Sequence, residues 1–126
     1  MHPSLAADRI KLKRAYEAAD ASDGTRVLID RLWPRGVSKR AAALDLRLKD
    51  LAPSTALRQW FGHDAARWAE FQQRYAKELH SQADAFEQLR DLARRGTVTL
   101  VYAARDEAHN DAVVLRELLL GRTPAG

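Results

Sequence analysis

The sequence predicts a single α/β domain, with a small, mostly parallel sheet of about four strands covered by helices. Three observations predict it. Two short runs, Val27-Leu28-Ile29 and Val98-Thr99-Leu100-Val101-Tyr102, lack alternation and are rich in β-branched residues, the pattern of central strands covered on both faces. Two other stretches, Arg9–Arg14 and Leu44–Lys49, alternate polar and apolar residues, the period-two signature of strands with one wet face. The segments between them repeat apolar residues three or four apart, as helices do when they lie on a sheet.

In order, Arg9–Arg14 reads as an edge strand whose lysines discourage pairing with other molecules. Ala18 to Gly24 is a loop closed by the turn residues Ser22-Asp23-Gly24. Arg26–Ile29 is the first central strand. After the Trp33-Pro34 loop, Ser38 caps a short helix to Ala43, and Leu44–Lys49 follows as a second edge strand. Ser54 or Thr55 starts a helix that turns Leu57, Trp60 and Phe61 inward and stops at Gly62. Asp64 caps the longest helix, to about His80, with Trp68, Phe71, Tyr75 and Leu79 in one stripe and Glu70 paired with Arg74 on another face. A further helix lies between Ser81 and Gly96, with Phe86, Leu89, Leu92 and Ala93 as its core side. The Thr97–Ala103 strand and a last helix from about Glu107–Asn110 complete the domain, which spans 9–120. Residues 1–8 and 121–126 read as flexible ends.

At 126 residues the chain can bury one real core but not two. It contains no cysteine, which removes disulfides and thiol chemistry. No apolar run approaches the roughly 18–20 residues needed to span a bilayer. The first eight residues have neither the cationic region nor the apolar core of a signal peptide, so the cytoplasm is the expected location. The net charge of +4 favours anionic partners, but basic and acidic residues are interleaved throughout. No basic stripe or recognition-helix pattern predicts sequence-specific binding to nucleic acid.

The chemistry concentrates in two places. Asp30-Arg31-Leu32-Trp33-Pro34-Arg35-Gly36 follows the first central strand, and Ala103-Ala104-Arg105-Asp106-Glu107-Ala108-His109-Asn110 follows the second. In open α/β sheets, ligands sit beyond the carboxyl ends of the strands. If the strands are parallel neighbours, Arg31, Arg35 and Arg105 face one space, and guanidinium groups grip phosphate or carboxylate in bidentate fashion. His109 and Asn110 lie where the last helix begins and could orient a ligand. Asp30 and Asp106 are the acid/base candidates. The competing reading pairs Asp30 with Arg105, or Asp106 with Arg31, merely to neutralise buried charge. Trp33 beside Pro34 could floor a pocket or plug the core. His63 has a suitable unperturbed pKa for proton transfer but sits alone in a turn. The four histidines lack metal-ligand spacing, the glycines form no phosphate-cradling loop, and no nucleophile motif occurs, so no metal or cofactor is expected.

Four stretches together resemble the YeaO-like family of uncharacterised bacterial proteins. They are Gly24 through Gly36, Leu48-Lys49-Asp50-Leu51-Ala52-Pro53-Ser54, Trp60-Phe61-Gly62-His63-Asp64, and Thr99 through Asp106. The resemblance covers roughly residues 9 to 120 and implies a compact α/β cytoplasmic protein, with no assigned reaction. Arg47 stands where the family pattern leads one to expect tryptophan.

The leading expectation is therefore a protein that binds a small anionic ligand, bearing phosphate or carboxylate and nucleotide-like in size, with Arg31, Trp33, Arg35, Arg105, His109 and Asn110 in contact and Asp30 or Asp106 handling protons. One alternative is a nucleic-acid-binding or regulatory module using the dispersed basic surface, with affinity that falls steeply with salt. The other is a protein-interaction module seating a partner on exposed aromatics such as Trp60 or Trp68.

Overall fold

The computed structural model describes residues 6–122. Among these the chain forms β1 (Ile10–Arg14), β2 (Thr25–Leu28), α1 (Lys39–Ala42), β3 (Leu46–Arg47), α2 (Thr55–Phe61), α3 (Trp68–His80), α4 (Ala83–Arg95), β4 (Val98–Tyr102) and α5 (Asp111–Leu119). The sheet order is β1-β4-β2-β3, and all three pairings are parallel. The two runs without alternation are thus adjacent and central, and the two alternating ones form the edges. Most of the ends expected to be flexible lie outside the described residues, although Ala7–Arg9 form a 3-10 turn against β1. No described helix is long and apolar enough to cross a membrane.

The central strands are covered on both faces, but by different means. Val27, Ile29, Val98, Leu100 and Tyr102 point into the main core, where Phe71, Tyr75, Leu89 and Leu115 from the helices meet them. Leu28 and Val101 point the other way, into a small cluster with Ala15, Val37 and Leu44. That second face is completed by charge. Arg26, only 3% exposed, donates to the Ala42 carbonyl from Nε and Nη2 (3.1 and 2.9 Å) and to Asp23 Oδ2 from Nη1 (2.6 Å). Lys13 Nζ reaches Asp23 Oδ1 at 2.9 Å, and the Thr99 hydroxyl donates to the Asp23 carbonyl at 2.7 Å. One buried carboxylate therefore joins β1 and β2 through two cations, and Arg26 carries the link on to α1.

Local chemistry sets the helix ends. The side chains of Ser38, Ser54 and Asn110 accept the N–H groups of Ala41, Leu57 and Val113, each satisfying an orphan donor of a first turn. Gly62 ends α2 in the left-handed region. Asp64 does cap, but it caps a 3-10 turn, Ala65–Arg67, from which α3 then continues. The Leu44–Lys49 strand shortens to two residues. Leu44 turns into the second core cluster, the Asp45 carboxylate takes the Arg26 N–H at 2.8 Å, and a 3-10 turn begins at Lys49.

Candidate active-site cavity

Because β2 and β4 run parallel side by side, the segments leaving them start at the same edge of the sheet and diverge. Between them opens a cavity of about 750 Å³, the size of a small-molecule site. Its lining has three chemistries. Asp30, just past β2, and Asp111, the first residue of α5, supply two carboxyl groups. Arg31 and Arg35 from the loop after β2, and Arg58 from α2, supply cations. Tyr16, Leu32 and Trp33, which are 50%, 65% and 36% exposed, are the large hydrophobic side chains most open to solvent among the described residues, and all three lie on this lining.

The two carboxyl groups lie within hydrogen-bond reach of each other. Asp30 Oδ2 accepts the Ala103 N–H at 2.9 Å, which ties the end of β2 to the end of β4. Asp111 Oδ1 accepts the Ala112 N–H at 3.0 Å. Burial pushes the Asp111 carboxyl up to about 7, helped by the negative charge of Asp30. Burial also raises Asp30, against the lowering pull of the Ala103 N–H, the Asp111 carboxyl, Arg58 and Arg47. Two adjacent carboxylates in a desolvated place cannot both ionise easily, so the pair holds one proton near neutral pH. The charged and titratable groups around it include Arg58 on α2, Arg47 on β3, Tyr75 on α3, and Arg31, Arg35, His63 and His109 on the cavity wall.

This pairing makes stability depend on pH. A carboxyl whose folded pKa is raised binds its proton in the folded chain over a range where the unfolded chain has lost it. Stability therefore falls as pH rises from about 4 through about 7. Asp111→Asn removes that penalty and keeps an oxygen for the Ala112 N–H. At pH 8 the variant should be more stable than the parent by about 1–3 kcal/mol, and at pH 4 close to it, by thermal unfolding at both values.

The residues singled out from sequence divide between the cavity and its surroundings. Asp30, Arg31, Trp33, Arg35, His109 and Asn110 line the cavity. Arg105 and Asp106 are exposed and stand off the lining. Neither Asp30–Arg105 nor Asp106–Arg31 forms an ion pair among the described residues. Asp106 instead organises its own loop. Its Oδ1 accepts the Ala108 and His109 N–H groups, and its Oδ2 meets His109 Nδ1 at 2.9 Å. The His109 hydrogen bond, followed by those two N–H groups, holds Asp106 below the usual carboxylate range. Asn110 is buried and committed to structure, its Oδ1 capping α5 and its Nδ2 donating to the Asp106 carbonyl at 2.8 Å. The first turn of α5 is thus already served by Asn110 and Asp111.

Trp33 is partly open to solvent rather than sunk in the core. Its indole N–H donates to the Val37 carbonyl at 2.6 Å, and the Arg47 guanidinium lies 5.7 Å from a ring centroid. Arg47, where tryptophan was expected, thus braces the loop by a cation–π contact and by donating to the Arg31 carbonyl at 2.8 Å. Trp60 and Trp68, named as exposed aromatics, are half-buried. Trp60 has the Arg67 and Arg74 guanidinium groups over its ring at 5.3 and 4.3 Å, and Trp68 meets the His109 ring edge-on at 5.1 Å. His63, held at φ 59° beyond Gly62, joins the cavity wall.

Two lining residues were missed from sequence. Asp111 reads as an ordinary acid in a helix first turn, and Arg58 as a cation on the wet side of a short helix. Only the position of α2 and α5 around the strand ends brings them to Asp30.

The chain matches the family pattern described as the inactive DUF488-N3 subclade over residues 9–125. An uncharacterised protein of Mycobacterium tuberculosis is 46% identical over 114 residues, covering 90% of this chain and 96% of that protein. The uncharacterised protein YeaO of Escherichia coli is 41% identical over 110 residues, covering 87% of this chain and 96% of YeaO. No solved structure matches the chain significantly.

Proposed function

We propose that this chain, which belongs to the inactive DUF488-N3 subclade and is a relative of YeaO, is a cytoplasmic binding protein for a small anionic ligand of nucleotide size. One observation carries the reading. Arg31, Arg35 and Arg58 line a single cavity at the ends of the central strands, and none of them forms an ion pair among the described residues. The acid pair in the same cavity, holding one proton, supplies one negative charge against three guanidinium groups, and an anion that neutralises the remainder gains charge-assisted hydrogen bonds. The apolar rim of Leu32 and Trp33 suits the flat body of such a ligand. The word inactive in the family's description favours binding over turnover, although the proton shared by Asp30 and Asp111 would suit acid/base chemistry if a bond to be broken lay beside it.

Calorimetric titration with inorganic phosphate and with nucleoside monophosphates tests this. Arg58→Ala should weaken binding by about 1.5–3 kcal/mol, the range for hydrogen bonds to charged groups, with the melting temperature nearly unchanged because Arg58 is exposed. An absence of binding at millimolar ligand would overturn the reading. So would affinity for long nucleic acid that drops with salt and with removal of any surface lysine or arginine alike.

A further inference from the structure

The acid pair lies inside a cavity whose charged rim is cationic, and an anion has no use for it. Asp30 and Asp111 each engage one oxygen with a backbone N–H and also meet each other, and no other side chain among the described residues donates to either of them. Both groups line the cavity that Arg31, Arg35 and Arg58 also line. The backbone bonds fix both carboxyl groups on the ends of secondary-structure elements, Asp30 against β4 and Asp111 at the start of α5, so their geometry is set before any ligand arrives.

We propose that Asp30 and Asp111 are specificity-determining residues, which receive two adjacent hydrogen-bond donors on the part of the ligand other than the anionic group held by the arginines. The inference rests on the anion-binding reading and names what the rest of that ligand must carry. Adjacent donors occur in two chemistries of this size: the vicinal hydroxyls of a ribose, and the amino and ring N–H edge of a guanine-type base. With the one proton taken up between the two carboxyl groups, the pair's outward lone pairs accept either one, and a ligand that presents an acceptor there meets an acceptor unpaired.

The test is calorimetry on the full chain with guanosine, inosine and adenosine monophosphates, with the 2′,3′-dideoxy form of guanosine monophosphate, and with inorganic phosphate. A loss of tenfold or more from guanosine to inosine monophosphate supports the base edge as the source, and a like loss on removing the two hydroxyls supports the ribose. In either case Asp111→Leu should bring the preferred ligand down to the level of the others while leaving inorganic phosphate unchanged. Asp111→Asn, which keeps an acceptor and adds a donor, serves as the second variant if the leucine does not fold, and should erase most of the preference. Equal affinity for all monophosphates, lost in Arg58→Ala but unmoved by either change at Asp111, overturns the inference and leaves the anion site standing. If neither phosphate nor any monophosphate binds, both fall together.

Discussion

Asp23→Ala should cost about 3–5 kcal/mol of stability, the loss seen when one partner of a buried ion pair is removed. Asp23 is 2% exposed, and its carboxylate meets Lys13, Arg26 and the Asp20 N–H at 2.6 to 3.1 Å. Removing it leaves the Arg26 guanidinium charged and buried beside the Ala42 carbonyl, with no other ion-pair partner among the described residues. The second face of the sheet has little apolar area to compensate, since its buried cluster is Ala15, Leu28 and Val101. Burial raises the Asp23 carboxyl, but Lys13, the Asp20 N–H and Arg26 outweigh it, and the net shift is downward. A depressed carboxyl contributes stability above its unfolded pKa of about 3.9 and loses it as pH falls through the folded value. The parent should therefore unfold in acid, with the difference between parent and Asp23→Ala shrinking below pH 4. Urea unfolding at pH 7 and pH 3 checks both statements, and a cost under about 1 kcal/mol at pH 7, typical of surface pairs, would contradict them.

Gly24→Ala should be nearly as damaging, at about 2–5 kcal/mol from overpacking and left-handed strain together. Gly24 has φ 63°, and an added Cβ would stand 2.2 Å from the Thr97 carbonyl oxygen. That oxygen accepts the Thr25 N–H at 3.0 Å, the contact that starts the β2–β4 pairing, so relieving the clash separates the central strands. Gly36→Ala is the control. Its φ is 78°, but nothing lies within 4 Å of an added Cβ, so only the backbone strain remains and the cost should be about 1 kcal/mol. Equal effects at the two glycines, measured by denaturant midpoint, would remove the steric argument.

The sheet was readable because its signals are local. Val27–Ile29 and Val98–Tyr102 lack alternation because both of their faces are covered, and β1 alternates because it sits at an edge. Capping by Ser38 and Ser54 and the stop at Gly62 were readable for the same reason, each being decided within four residues. The buried charge network was not. Arg26 in a central strand looks like a strand boundary until the sheet brings Lys13 to the neighbouring Asp23 and α1 folds back to offer the Ala42 carbonyl. The site divided along the same line. Asp30, Arg31 and Arg35 were legible from the general rule about strand ends, while Asp111 and Arg58 depend on where two helices dock. Arg105 and Asp106 carried the same local signal as Arg31 and Asp30, yet the loop after β4 folds on itself through Asp106 and His109.

Backbone amide NMR during titration with guanosine monophosphate tests the cavity most directly, because it locates binding as well as detecting it. The amides of Ala103 and Ala112 donate to the two carboxyl groups, and those of Asp30 and Arg31 lie on the cavity wall. These four should shift together and saturate at one equivalent, with the shifts weakened in Arg58→Ala. Shifts that grow without saturation and spread over the exposed basic residues, such as Arg94 and Arg95 at the end of α4, would show that the cavity takes no ligand of this kind.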